Sequence, residues 1–184
     1  VTPIEISSSN NLCGVLSGSG DKSISHRALI MAALSAGCSR LTGLLVSDDV
    51  MCTIEALRQL GIQISEPNGN SVLVHGAGLG GLTDPVGPLN LGNSGTAARL
   101  LMGVVAGNPI TAVFIGDESL SGRPMERVVK PLSDMGASIS LSEGGGLPAT
   151  VRGKNSLIPI EYHLPVASAQ VKSSILLAGL HCPG

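Results

Sequence analysis

Apolar positions recur along this chain at two different spacings. Val50, Ile54, Leu57 and Leu60 fall on one helical face, and Gly61 follows where a left-handed C-terminal cap is expected. Ile62-Gln63-Ile64 and Ser71 to His75 alternate instead, as half-buried strands do. Between them Pro67-Asn68-Gly69-Asn70 has hairpin-turn chemistry. Arg127 to Met135 reads as another helix. Pro131 predicts that it starts near that residue, since an interior proline costs about 3 kcal/mol. Ala137 to Leu141 and Ala149 to Arg152 then form a second strand pair around Gly144-Gly145-Gly146. The apolar stretches Ala28 to Leu34, Leu100 to Val105 and Ile175 to Leu180 predict further helices.

These elements repeat at a spacing of about 75 residues. The first unit runs from Gly20-Asp21-Lys22-Ser23 through Asp48-Asp49 and the helix ending at Leu60-Gly61 to Val72-Leu73-Val74-His75-Gly76. The second runs from Gly92-Asn93-Ser94-Gly95 through Gly116-Asp117 and the helix ending at Met135-Gly136 to Ala149-Thr150-Val151-Arg152-Gly153. Each reads as helix, helix, then two short strands. A third begins at Ser168-Ala169-Gln170-Val171-Lys172, and Arg27, Arg99 and Lys172 occupy equivalent places. A unit consisting of its first helix alone would leave an apolar face uncovered, so further chain or a partner polypeptide is expected to complete it.

Composition narrows the function. At 184 residues and 43% hydrophobic content the chain can bury a core, which argues against disorder. Phe114 and Tyr162 are the only aromatic residues and the net charge is -2, so the stacking platforms and basic groove of a nucleic-acid binder are missing. Small anions remain open as ligands, because a few convergent cations suffice for them. Cys13, Cys38, Cys52 and Cys182 show no zinc-type spacing, so no metal is expected, and they are expected to be buried, reduced thiols. No apolar run approaches the roughly 18 residues of a membrane span, and the expectation is a soluble, cytosolic protein without membrane association.

Each unit opens with small or polar residues directly before an apolar helix. Helix starts expose unpaired N–H groups and a positive dipole end, which suit phosphate or carboxylate. Plain N-capping is the commoner role of any one such segment. The accompanying Lys22, Arg27, Arg99 and Lys172 shift the balance, because a cation near a helix start is disfavoured unless an anion is at hand. Gly92-Asn93-Ser94-Gly95 lacks the spacing of a Walker or dinucleotide loop, so no nucleotide cofactor is required. Arg123, fixed before Pro124, either presents a guanidinium to ligand or pairs with Asp117, Glu118 or Glu126.

Four segments together resemble the 5-enolpyruvylshikimate-3-phosphate synthase family, in order and across nearly the whole chain. They are Gly20-Asp21-Lys22-Ser23-Ile24-Ser25-His26-Arg27, Gly92-Asn93-Ser94-Gly95-Thr96-Ala97-Ala98-Arg99, Gly116-Asp117-Glu118-Ser119-Leu120 with Arg123-Pro124-Met125, and Ser168-Ala169-Gln170-Val171-Lys172-Ser173. Ser19 departs from the family, which usually has proline there. The resemblance implies an inside-out α/β barrel-type fold of βαβαββ-like repeats, present here as an incomplete N-terminal portion. Residues 1–18 would be strands belonging with a C-terminal domain. Residues 19–184 would hold repeats at about 19–91 and 92–165 and the start of a third at 166–184.

The implied reaction transfers the enolpyruvyl group of phosphoenolpyruvate to the 5-hydroxyl of shikimate 3-phosphate and releases phosphate, with no cofactor. By the same resemblance Lys22, Ser23, Arg27, Ser168, Ala169 and Gln170 would hold shikimate 3-phosphate. Lys22, Gly95, Arg123 and Gln170 would meet phosphoenolpyruvate or the inhibitor glyphosate, and Lys22 would be catalytic. Arg99 and Lys172 would brace the helix starts. The remaining acid and base groups belong to the family's C-terminal half, the expected partner, so this chain alone is expected to be inert. The related UDP-N-acetylglucosamine enolpyruvyl transferase is the enzymatic alternative, but it typically carries Asn after the early Lys and a loop Cys, where this chain has Ser23 and no Cys between Gly116 and Met125. A non-catalytic fragment docking on a separate C-terminal half is the other.

Overall fold

The computed structural model describes residues 3–8, 11, 13–16 and 18–183. The first unit comprises α1 (Lys22–Leu34), β1 (Ala36–Leu41), α2 (Asp48–Gln59), β2 (Gln63–Ile64) and β3 (Val72–Ala77). The second comprises β4 (Leu89–Asn90), α3 (Gly95–Ala106), β5 (Thr111–Ile115), the single-turn α4 (Glu118–Ser121), α5 (Glu126–Asp134), β6 (Ser138–Ser140) and β7 (Ala149–Arg152). Then α6 (Ala169–Gly179) opens the third.

The repeat is visible in the strand register. β1 pairs with β3 from Ala36↔Ala77 to Leu41↔Val72, and β5 pairs with β7 from Thr111↔Arg152 to Phe114↔Ala149, the same antiparallel pairing about 75 residues on. The outer hairpin strands differ by two residues, Ile64 facing Val74 but Ile139 facing Val151. Because side chains alternate with a period of two, that slip keeps the same side chains inward. Sheet orders are β1-β3-β2 and β4-β5-β7-β6, with β4 parallel to β5.

Three expectations need correction. A strand, β1 or β5, separates the two helices of each unit, where the apolar pattern showed only helix followed by helix. Pro131 lies inside α5, whose first residue is Glu126. Its missing N–H would have bonded the carbonyl of Arg127, an exposed residue, so water can serve that carbonyl while the proline ring is buried beside Val128 and Leu132. The cysteines are free but not buried: Cys13 and Cys38 are exposed, Cys52 and Cys182 partly so. Cys38 points away from the core on β1, opposite His75.

One contiguous core joins the units, with Leu29, Ile30, Ile54, Leu57, Leu91, Leu100, Leu101 and Phe114 fully buried. α3 is buried along almost its whole length, as expected of a helix that is apolar on all sides. It packs most extensively on α6 and also meets α1, α2 and α5. The α3–α6 contact depends on Gly103, where an added β-carbon would stand 2.2 Å from the Ser174 carbonyl oxygen. On its other side α6 leaves Leu176 and Leu180 exposed, lining with Met31 a groove of about 370 Å³ against α1. The described residues before Gly18 form no strand and are exposed, Ile4, Ile6, Val15 and Leu16 included.

Candidate active site

The N-terminal turns of α1, α3 and α6 are all capped by their own side chains. Asp21 accepts from the Ile24 N–H, Ser94 from Ala97 and Ser168 from Val171. Capping is therefore real at each, and it occupies one N–H of each first turn. What the repeat could not reveal is that the three turns are tied together. Arg27 on α1 donates to Ser173 Oγ through Nε at 3.2 Å and Nη2 at 2.8 Å, and to the carbonyls of Ser23 and Ala169. Gln170 on α6 donates through Nε2 to Thr96 Oγ1 on α3 at 2.9 Å and accepts through Oε1 from Arg99 Nη1 at 3.2 Å.

Lys22 Nζ stands 2.5 Å from Asp49 Oδ2, an ion pair between the start of α1 and the first turn of α2. The second unit repeats the tether with an amide: Asn93 Nδ2 donates to Asp117 Oδ2 at 2.7 Å. That bond, with the Leu120 N–H, holds the Asp117 carboxyl below the usual carboxylate range. Asn93 in turn accepts from Arg123 Nη2, which also donates to Ser119 Oγ at 3.3 Å. So none of the acidic neighbours weighed from sequence forms a salt bridge with Arg123, although its charge helps to hold the Asp117 carboxyl down.

The unpaired cations define the electrostatics. Among the described residues, salt bridges involve Lys22, Arg58, Lys130 and His163, and none involves Arg27, Arg99 or Arg123. Burial, then repulsion from Arg123 and Arg127, pushes the Arg99 guanidinium pKa down. An anion placed here would relieve that repulsion. A β-carbon on Gly95 would lie 2.7 Å from Arg99 Nη1 and 3.1 Å from Arg123 Nη1, so glycine lets both guanidinia close over the start of α3. Sequence reading singled out the cations but not Asp49, Asn93, Thr96 and Ser173. Asp49 and Asp117 do hold matching positions in the repeat, and that was the available signal. Ser23 and Lys172 are exposed.

Behind Lys22, His26 is fully buried with Nδ1 2.7 Å from Thr53 Oγ1. Desolvation, opposed by Asp49 and assisted by Lys22 and Arg27, lowers its pKa from 6.5 to about 4. The unfolded chain then binds the extra proton first, so the contribution is complete above pH 6.5 and is lost as pH falls toward 4, costing about 3 kcal/mol. Urea denaturation across this range should show that slope, and His26→Asn should flatten it.

The profile of one family, EPSP synthase (3-phosphoshikimate 1-carboxyvinyltransferase), matches residues 6–184. The chain belongs to the EPSP synthase family. It is 56% identical over 176 residues to the 3-phosphoshikimate 1-carboxyvinyltransferase of Parvibaculum lavamentivorans, a match covering 96% of this chain and 39% of that protein. Against the protein of the same name from Zymomonas mobilis the identity is 57%, covering 94% and 38%. The EPSP synthase structure from Acinetobacter baumannii superposes with a TM-score of 0.89 at 45% identity, covering 93% of this chain and 39% of that one. The α/β repeats are thus an N-terminal portion of the EPSP synthase fold, and the chain spans about 40% of the length of the relatives it matches.

Proposed function

We propose that this chain supplies part of the substrate site of a 3-phosphoshikimate 1-carboxyvinyltransferase, transferring the enolpyruvyl group of phosphoenolpyruvate to shikimate 3-phosphate in the cytoplasm. The observation that carries it is the meeting of three helix starts around Arg27, Arg99 and Arg123, none of which forms a salt bridge with a carboxylate among the described residues. Two substrates bring two phosphates and two carboxylates, and forked guanidinia with N–H-rich helix starts match such groups. Lys22, Ser23, Arg27, Ser168, Ala169 and Gln170 hold shikimate 3-phosphate in this reading. Lys22, Gly95, Arg123 and Gln170 take phosphoenolpyruvate, or glyphosate in its place. Lys22, released from Asp49, is the group that reaches both substrates.

The reaction needs more than this chain. The apolar, exposed Ile4, Ile6, Val15 and Leu16 support the reading that residues 1–18 pair with a C-terminal domain, while 19–184 belong to the N-terminal one. The proposed partner is that C-terminal remainder, which carries the other acids and bases. Isothermal titration of shikimate 3-phosphate should give saturable binding to the complete enzyme and far weaker binding to residues 1–184 alone. Absence of binding to the complete enzyme would overturn the proposal.

A further inference from the structure

Gln170 has only one chemically consistent orientation. Its two terminal atoms lie 3.2 Å from Arg99 Nη1 and 2.9 Å from Thr96 Oγ1. A guanidinium has donors and no acceptor, so the atom facing Arg99 must be the carbonyl oxygen Oε1. The atom facing Thr96 is then the amide nitrogen, with two N–H groups. One goes to Thr96 Oγ1, and the other has no partner among the described residues. Turning the amide over would set N–H against N–H at Arg99 and leave a half-buried guanidinium short of an acceptor.

Arg99 is itself firmly held. Its Nη1 also donates to the Gly95 carbonyl at 3.1 Å, and its Nη2 to the Pro124 carbonyl at 3.2 Å. One side chain thereby fixes the first turn of α3, the segment between α4 and α5, and the first turn of α6. Arg123 reaches the same helix start, its Nη1 standing 3.1 Å from where a β-carbon on Gly95 would lie.

We propose that Arg99 is a positioning residue that acts through Gln170: it fixes the amide so that α6 presents an N–H donor, not a carbonyl, at the first turn of α3 beside Thr96. This rests on the function proposed above and deepens it, because it accounts for selection of an oxyanion at this point. A carbonyl turned the same way would repel a phosphate or carboxylate.

The test is a double-mutant cycle in the complete enzyme, using kcat and KM for both substrates. Arg99→Met and Gln170→Ala should each lower kcat/KM roughly ten- to hundredfold, the range of a lost charge-assisted hydrogen bond. The double variant should lose clearly less than the product of the two single losses, since the part of the Arg99 effect that runs through Gln170 is already gone, and only its bonds to the Gly95 and Pro124 carbonyls remain to be lost. Arg99→Lys, which keeps the charge but loses the fork, should resemble Arg99→Met. Multiplying losses in the double variant, or wild-type behaviour of Arg99→Lys, would overturn the positioning role while Gln170→Ala and Arg123→Ala still show the substrate site. If those two variants leave every KM unchanged, the proposed function falls and the positioning role falls with it. Should Arg99→Met fail to fold, Arg99→Lys alone and with Gln170→Ala supplies the same cycle.

Discussion

Replacing Arg123 by alanine in the complete enzyme should lower kcat/KM for phosphoenolpyruvate roughly a hundred- to thousandfold, the scale of losing one aimed donor to an oxyanion. The guanidinium is hydrogen-bonded to neutral groups, Asn93 and Ser119, and Asp117 is reached only through Asn93, so no carboxylate occupies its N–H fork. Arg123→Lys should recover only part of the loss, because an ammonium cannot grip an oxyanion with two parallel N–H bonds. Gly95→Ala belongs to the same experiment as a milder perturbation. Its methyl would push on the guanidinium ends of Arg99 and Arg123 and not on backbone, so the chain should fold while KM for phosphoenolpyruvate rises about tenfold, a displacement cost of about 1.4 kcal/mol. Glyphosate inhibition, read as an inhibition constant, should weaken with it. Steady-state kinetics with unchanged constants for Arg123→Ala would remove phosphoenolpyruvate from this site.

Gly103→Val is expected to cost about 3 kcal/mol of stability. The first new carbon would meet the Ser174 backbone oxygen at 2.2 Å and its Oγ at 2.7 Å, and neither backbone nor a buried helix can yield cheaply. α6 has to move off α3, and Gln170 and Ser173 leave Thr96, Arg99 and Arg27 as it goes. Equilibrium denaturation should therefore show a lowered midpoint, and affinity for shikimate 3-phosphate should fall in molecules that remain folded. A variant with wild-type midpoint and affinity would mean that the α3–α6 crossing is not as close as described.

The sequence made the repeat, the hairpins and the helix starts legible because each is encoded locally. Gly61 takes a positive φ of 92°, as the left-handed cap expected after Leu60 requires, and Gly136 holds the same conformation at 103° after the second unit's helix. β1 escaped notice because Ala36-Gly37-Cys38-Ser39-Arg40-Leu41 has no apolar alternation. It is a strand by virtue of pairing with β3, a partner some 40 residues away. The cysteines were misjudged for a related reason: residue type favours burial, but the pleat decides which face Cys38 takes. In the candidate site the cations could be named from their helix starts. Their partners could not, since packing of α1 and α3 on α6 brings Thr96 to Gln170 and Ser173 to Arg27.

The Arg27–Ser173 bond spans 146 residues. At translation rates of about 5–20 residues per second, α1 emerges from the ribosome roughly 7–30 s before the helix that satisfies its guanidinium. During that interval the first unit can close its own sheet, because Ala36 to Ala77 are already made, yet Met31 and Arg27 wait without α6. Until α6 is made, the flank of α1 that carries Arg27 and Met31 stays open. Nascent chains stalled before residue 169 should be cut by protease within α1 more readily than chains that include α6.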